Sequence, residues 1–210
     1  MKNLWISIKI TLAMCVVLFV GYVLVLRLVA WVASPNDGEA PVVTYNGKVV
    51  GAANVGQVFT DSVYFWGRPS NVDYNGGGSG GSNKGTNNPE YLAQVEERID
   101  AFLAAHPYLS REEVPAEMVT ASGSGLDPDI SPRGAQVQVR RVAAARGLDE
   151  AVVQRLVDSL TQKPWLGLFG TAKVNVLRLN IALETLQPNV TASAGVRQAG
   201  GGGGGGSPEN

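Results

Sequence analysis

The hydrophobic positions form one long block at the N-terminus, followed by shorter amphipathic blocks. No charged residue interrupts the chain from Ile10 to Leu26, and the apolar run extends from Leu4 to Val32 if Lys9 and Arg27 lie near its ends. At 1.5 Å per helical residue the uncharged stretch spans roughly 25 Å, and a few more residues reach the ~30 Å hydrocarbon layer. The pattern therefore predicts one transmembrane helix within residues 1–33.

Three alternative interpretations of this segment compete with a spanning helix. A basic N-terminal region and the small residues Ala33-Ser34 also fit a cleaved signal peptide, although the apolar run is longer than the ~7–15 residues of a signal core. A lipoprotein signal at Cys15 and a buried core helix are further alternatives, the last disfavoured because the segment is apolar on every face. Trp5 and Trp31 fit the two interfacial belts of a spanning helix, which we prefer.

The distribution of charge predicts an orientation and excludes one class of partner. Lys2 and Lys9 precede the apolar core, against Arg27 and the distant Lys48 after it, which favours a cytoplasmic N-terminus and an extracytoplasmic domain. Three of the 17 basic residues precede Ala33, so the rest of the chain carries 14 basic against 18 acidic residues. This acidic balance argues against nucleic acid as a partner.

The remaining chain is predicted to form one α/β (α+β) domain with a linker and a tail. Residues 34–40 are rich in Pro, Asn, Asp, Gly and Glu and are assigned as the linker, residues 41–187 as the domain, and residues 188–210 as a disordered Gly-rich tail. The only cysteine, Cys15, lies in the apolar segment, so packing and not a disulfide must hold the domain together.

Turn and capping signals place the elements of this domain. Val42 to Tyr45, Asn46-Gly47 and Lys48 to Val50 predict a hairpin with a type I′ turn. Helices are predicted in four further segments, each opened by a capping residue or a proline. These segments are Asn88 to His106 with an apolar stripe that includes Leu92, Pro132 to Arg146, Asp149 to Leu160, and Asn175 to Leu186.

Three connecting segments have less regular patterns. Val58 to Trp66 is expected to form either a strand or irregular packed chain before a turn at Gly67 to Pro69. The Gly-, Ser- and Asn-rich stretch Asn75 to Asn88 is either a mobile loop or a loop ordered by contact. In the connection Lys163 to Gly170, Trp165 and Phe169 are the expected anchors.

The segment VTASGSGLDPDISP, Val119 to Pro132, concentrates polar turn chemistry before a helix. Ser131 followed by Pro132 has the form of an N-cap and a first helical residue. The loop is expected to present backbone N–H groups and side-chain oxygens at a helix start. These groups either bind an anion, bind a polar group of a partner, or hydrogen-bond only the backbone of the loop itself.

Nothing in the motifs indicates catalysis by the chain itself. His106 is the only histidine, and Ser122 and Ser124 do not stand in a G-x-S-x-G frame. The glycine-rich Gly76 to Gly85 region lacks the phosphate-binding pattern G-x-x-x-x-G-K-[ST], although weak nucleotide contact through its backbone stays an open hypothesis.

A second set of polar residues suits an interface. Gln57 and Arg68 lie among aromatic residues that include Phe59, a composition found at binding hot spots. Alternatively, Arg68 hydrogen-bonds backbone carbonyls within its own turn. For Asp127 the same two alternatives exist: a hydrogen bond within its own turn or a contact with a partner. An Asp127-Asp129 pair holding a cation would need more oxygen ligands than the loop offers.

Four segments in this order resemble one family, the KdpC family, which is the C subunit of the bacterial potassium-transporting P-type ATPase. Their sequences are GQVFTDSVYFWGRPS, SGGSNKGTNNPEY, VTASGSGLDPDISP and VNVLRLNIALETL. The resemblance runs from the N-terminus to about Leu186. Two positions depart from the family pattern: Arg178 stands where an acidic residue is expected, and Asp129 where histidine is common.

The resemblance implies an accessory, non-catalytic subunit in the inner (plasma) membrane of a bacterium. Its partners would be a catalytic P-type subunit and a channel-like potassium subunit, together with membrane lipid. It would stabilise assembly and raise the affinity of the catalytic subunit for ATP, with no tightly bound cofactor of its own. The expected partner-binding or structural polar cluster consists of Gln57, Phe59, Arg68, Ser82, Asn83, Ser122, Ser124, Asp127 and Ser131.

Two functions from other classes compete with this interpretation. One is a free-standing, membrane-anchored extracytoplasmic module that binds a ligand through its Gly- and Ser-rich loops. The other is a signal-anchored hydrolase that would use Ser124.

Overall fold

The computed structural model describes residues 2–186, so the predicted Gly-rich tail lies outside the described residues. The chain divides into two compact units, Met1–Val42 and Val43–Asn210. The first unit is a continuous helix, built from α1 (Lys2–Cys15), a π-helical stretch (Val16–Tyr22) and α2 (Val23–Ala33).

The N-terminal helix fits a transmembrane segment. Within the described residues, Lys2–Ala33 is the one helix long and apolar enough to cross a membrane, with a mean hydropathy of 2.6. A 3₁₀ turn at Pro35–Gly38 follows it. Arg27 donates to the Asp37 carbonyl at 3.3 Å and lies 3.8 Å from a Glu39 carboxylate oxygen, so the turn is tied to the end of its own helix.

The second unit combines helices with two small two-stranded sheets. The predicted hairpin is confirmed: β1 (Val42–Tyr45) and β2 (Lys48–Ala52) are joined by Asn46 and Gly47, whose φ angles of 50° and 74° are both positive as a type I′ turn requires. The second sheet pairs β3 (Asp129–Ile130) antiparallel with β4 (Val174–Asn175).

The predicted helices are present, with one break. They are α3 (Pro89–Ala105), α4 (Pro132–Gln136), α5 (Val139–Arg146), α6 (Glu150–Leu160) and α7 (Val176–Leu186), with short 3₁₀ turns at Arg111–Glu113 and Ala116–Met118. Side chains of Asn88, Ser131, Asp149 and Asn175 accept hydrogen bonds from the first-turn N–H groups of their helices.

The helix predicted from Pro132 to Arg146 is divided at Val137 and Gln138. The side chain of Gln138 donates to the Gly134 carbonyl at 2.9 Å, the acceptor that its own backbone N–H would use in a continuous α-helix. That N–H donates to Ala135 instead. The side chain thus takes the place of one backbone hydrogen bond of the helix, and α4 and α5 form as separate helices.

The core lies among α5, α6, α7 and the irregular segment before α3. Fully buried apolar side chains from all four places meet there, including Phe65, Val142, Val153, Leu179 and Leu183. Val58 to Trp66 therefore packs as irregular chain, the second of the two forms expected. No turn is present from residue 65 to 70, so the prediction of a turn at Gly67 to Pro69 is wrong.

Two predictions about burial are also wrong. Leu92 in α3 is 51% exposed, because it lies on the solvent side of that helix. Trp165 and Phe169 do not anchor their connection to the core, being 70% and 60% exposed. Their segment closes on itself through a pair of backbone hydrogen bonds, and the two rings contact each other with centroids 5.6 Å apart.

Candidate functional site

A polar cleft of about 390 Å³ brings together three of the residues predicted for the site, Arg68, Asp127 and Ser131. Arg68 Nη1 donates to Asp127 Oδ2 at 2.9 Å, and the two side chains are 25% and 29% exposed. An ion pair exposed to this limited extent contributes modestly to stability and leaves part of its surface open to a partner.

The other polar groups of the cleft are engaged within the domain. Asp127 Oδ1 accepts from the Asp129 N–H at 3.0 Å, and Ser131 caps α4 while donating to Glu117. Asp129 is paired with Lys173 at 2.6 Å. The carboxylates proposed as a cation site thus have protein donors, and within the described residues no cluster of three metal-ligating side chains is found.

Asp129, one of the two residues that depart from the expected family pattern, has local partners here. Besides its ion pair, it accepts from the Asn175 amide at 3.2 Å, while Asn175 also donates to the Ala53 carbonyl at 2.8 Å. Asn175 is buried, and it also caps α7 through its oxygen. Asp129 therefore ties the Asp127 loop to the start of α7.

Gly56 sets how closely the segment before Arg68 approaches this loop. Its N–H donates to the Leu126 carbonyl at 2.7 Å, and a Cβ at this position would lie 2.5 Å from the Asp127 carbonyl oxygen. No side chain fits there without moving backbone. The close approach of these two backbone segments therefore explains why the GQVF motif begins with a glycine.

Gln57 and Phe59 line a different, mainly apolar cleft of about 190 Å³, together with Tyr64 and residues of α7. Gln57 donates to the Val50 carbonyl of β2 at 3.0 Å. Phe59 packs against Tyr64 with ring centroids 5.8 Å apart. The side chain of Gln57 thus holds the hairpin, and Phe59 forms part of an open apolar wall.

The predicted residues Ser82, Asn83, Ser122 and Ser124 lie in loops and line neither cleft. The Ser124 carbonyl accepts from Gly80 N–H at 2.9 Å and from Ser79 Oγ at 3.1 Å, so the Gly-rich segment is ordered here by contact. Ser122 is buried, with its Oγ 3.5 Å from that of Ser124.

Two of these predicted residues, Ser82 and Asn83, have only local roles in their loop. Ser82 Oγ accepts from Lys84 N–H at 3.5 Å, and Asn83 is exposed with a left-handed φ of 52°. The structure does not bring either residue to the Arg68–Asp127 pair. The cluster expected from the sequence is thus spread over two clefts and two loops, and Gln57, Phe59 and Asp127 also line one narrow crevice together.

A buried polar network that the motifs did not indicate holds the segment Ser62 to Trp66. Arg141 of α5 donates to the carbonyls of Ser62 at 2.5 Å and Tyr64 at 3.1 Å. Gln138 both accepts from the Trp66 N–H at 2.7 Å and donates to the Trp66 carbonyl at 3.1 Å. Helix side chains thus supply the hydrogen bonds that a neighbouring strand would otherwise give.

Two more side chains complete this network. Asn180 of α7 pairs with Phe65 in the same two-sided way, at 2.8 and 3.0 Å. Arg146 donates to the Val63 carbonyl at 2.7 Å and forms an ion pair with Glu184. The sequence signal for this network was the presence of polar residues on helix faces that are otherwise small and apolar. The segment that they hydrogen-bond, however, is more than 70 residues away in the sequence.

His106 belongs to the same core. Its ring is fully buried and stacks on Phe102, with Nδ1 donating to the Phe102 carbonyl at 2.7 Å and Nε2 accepting from Arg141 at 2.9 Å. Burial, followed by the nearby Arg141 cation, lowers the pKa of His106 from 6.5 to about 4. The imidazole is thus neutral at pH 7 and faces no cleft described above.

The comparison with known proteins agrees with the order of the motifs. The model of the KdpC family, described as "K+-transporting ATPase, c chain", matches residues 4–185. A potassium-transporting ATPase KdpC subunit of Bacteroides fragilis is 66% identical over 189 residues, covering 89% of this chain and 99% of that protein.

More distant relatives cover the same region. The KdpC subunit of Flavobacterium psychrophilum is 54% identical over 187 residues, which is 89% of this chain and all of the relative. That of Caldanaerobacter subterraneus subsp. tengcongensis is 45% identical over 177 residues, or 84% of this chain and 92% of the relative. These matches include the apolar helix and the folded domain together, and the chain therefore belongs to the KdpC family, the c chain of K⁺-transporting ATPases.

Proposed function

We propose that this single-pass membrane subunit acts as an accessory, non-catalytic member of a potassium uptake pump, with its N-terminus in the cytoplasm and its domain outside. The observation that carries the proposal is the unbroken family match over residues 4–185, through the spanning helix and the domain together. The placement of Lys2 and Lys9 before the apolar helix supports the orientation.

The proposed partners are a catalytic P-type subunit and a channel-like subunit of the same pump. The helix Lys2–Ala33 supplies the membrane contacts, and the domain supplies a polar surface at the Arg68–Asp127 cleft. This pair is a charged part of the predicted site that stays partly open to a partner.

The geometry of the potential catalytic residues supports a non-catalytic role. A hydrolase that used Ser124 would need a base near its Oγ, but the groups that this oxygen contacts, the Leu126 N–H at 3.1 Å and the Ser122 Oγ at 3.5 Å, are not bases. The single histidine lies in the core, where its two ring nitrogens are occupied by Phe102 and Arg141.

The domain would raise the ATP affinity of the pump without touching ATP. An extracytoplasmic domain is separated from cytoplasmic nucleotide by the bilayer, so the coupling has to be allosteric. It requires the domain to bind one conformation of the pump more tightly than another. The Arg68–Asp127 cleft is the surface that we assign to this differential contact.

The test compares pumps assembled with the full chain, with a chain that ends after residue 40, and with Arg68→Gln. Arg140→Gln is the matched control, because Arg140 is an exposed arginine of the same domain, 3.9 Å from Glu150. We expect the short chain to co-purify with the pump, and both it and Arg68→Gln to require more ATP for half-maximal hydrolysis. Arg140→Gln should behave as the full chain does.

Two outcomes would contradict the proposal. Unchanged ATP dependence with the short chain would remove the coupling role. Recovery of the full chain alone after gentle detergent extraction would instead favour the free-standing binding module.

A further inference from the structure

The most exposed apolar surface of the domain is the tip formed by residues 165–169. Trp165, Leu166, Leu168 and Phe169 are 70%, 70%, 80% and 60% exposed. Elsewhere in the described part of the domain, the most exposed large apolar side chains are Val42 at 60%, Val49 at 59% and Leu92 at 51%, which are separated along the chain. Four such side chains within five residues form a patch that solvent alone does not favour.

Four backbone N–H groups of this apolar tip, those of Trp165, Gly167, Leu168 and Phe169, are hydrogen-bonded within the turn. Trp165 and Phe169 exchange both of their hydrogen bonds, at 2.9 and 3.0 Å, and the N–H groups of Gly167 and Leu168 donate to Pro164 and Trp165. Below the tip, Gln162 and Lys173 form a second reciprocal pair at 2.8 and 3.1 Å. Since unpaired backbone groups are costly in lipid, a closed turn of this kind is suited to an apolar environment.

The distribution of charge around the tip also fits a lipid environment. No charged residue occurs between Lys163 and Lys173, and both lysines are exposed at the base of the turn. Trp and Phe with flanking basic residues are the composition of segments that lie at the membrane interface. Lys163 at this position would meet lipid phosphates, whereas Lys173 is already paired with Asp129.

The chain itself keeps the domain close to a bilayer. Only residues 34–41 separate the spanning helix from β1. At ~3.3–3.6 Å per residue, that connection reaches no more than about 30 Å. The start of the domain is therefore held within about 30 Å of the end of the spanning helix, on whichever side of the membrane the domain lies.

We propose that residues 165–169 insert into the interfacial layer of the bilayer in which the chain is anchored, as a second membrane contact besides the spanning helix. The occupant of this surface is lipid, and Lys163 pairs with its headgroups. The tip would then fix the tilt of the domain over the membrane, which the linker alone leaves free.

The test uses the full chain in phospholipid nanodiscs, with Cys15→Ala to remove the only cysteine. Leu166→Cys is labelled with an environment-sensitive fluorophore, and Leu92→Cys, also an exposed leucine of the domain, is the matched control. Emission is measured with brominated lipids and with a water-soluble quencher. We expect brominated lipid to remove most of the emission at position 166, with little effect at position 92.

Each other result would overturn the inference. Strong quenching by the aqueous reagent alone would show a tip free in water. Protection from both quenchers once the pump subunits are present would show a tip bound to protein. A second variant, Leu166→Asp without label, is made in a chain whose other three tryptophans are replaced by Phe. It should lower the blue shift of Trp165 fluorescence on transfer from detergent to nanodiscs; an unchanged spectrum would also count against lipid contact.

Discussion

Two aromatic segments of the domain lie outside regular secondary structure and have opposite environments. Tyr64 to Trp66 is held in the core, where Gln138, Arg141 and Asn180 hydrogen-bond its backbone. Trp165 to Phe169 bonds to its own backbone and leaves its side chains exposed. The comparison shows that the location of the backbone partners, more than aromatic content, determines whether such a segment supports the fold or presents a surface.

The largest expected effect comes from removing the main support of the buried segment. Arg141→Met leaves carbonyls of Ser62 and Tyr64 and the His106 ring without their donor. We expect a loss of about 4 kcal/mol in the free energy of unfolding, because several buried acceptors become unpaired together. Chemical denaturation of the full chain in detergent, followed through Trp66 fluorescence in a chain with the other tryptophans replaced by Phe, measures this.

Arg140→Met is the control for that change. The neighbouring Arg140 lies over the exposed side of Tyr108 with its charge in solvent, so its loss should cost less than about 1 kcal/mol. Equal effects of the two variants would contradict the special role of the buried arginine.

Acid should weaken the buried segment next. The pKa of His106 is about 4 in the folded protein against 6.5 ordinarily, so the unfolded chain binds a proton more readily. The full stability is present above about pH 6.5 and is lost as the pH falls toward 4. Between about pH 7.5 and pH 5 we expect a loss of about 2 kcal/mol from this group.

The variant His106→Gln separates this contribution from other titrations. It should be less stable than the parent at neutral pH, yet show a flatter decline over the same pH interval. An identical slope in both proteins would show that His106 is not the titrating group.

The smallest stability effect is expected at the exposed tip. Trp165→Ser removes a side chain that contacts mainly Phe169, so the free energy of unfolding should change by less than about 0.5 kcal/mol. The same denaturation measurement applies. A loss of several times that size would mean that the tip packs in the fold, and the contrast between the two segments would fail.

Local sequence signals predicted the elements of the domain well. Asn46-Gly47, Ser131-Pro132 and Asp149 act through neighbours within a few residues, so their turn and caps were visible in the chain. The break at Gln138 was not, because it depends on a side chain that replaces a helix bond and also reaches Trp66.

The candidate site was predictable in part for the same reason. Arg68, Asp127 and Ser131 do share a cleft, and the order of the motifs indicated the family. The Arg141 network depends on contacts between segments that are distant in the sequence. The exposure of Trp165 depends on the lack of such contacts at its own segment. Composition alone does not distinguish a buried aromatic run from an exposed one.

The account depends most on the side of the membrane on which the domain lies. In a Cys15→Ala chain, Glu97→Cys places one thiol on the exposed face of α3, where a membrane-impermeant maleimide can reach it. Labelling in intact cells from which any outer barrier has been removed is compared with labelling after the inner membrane is broken. The account predicts full labelling in the intact cells, whereas protection until the membrane is broken would place the domain in the cytoplasm and contradict it.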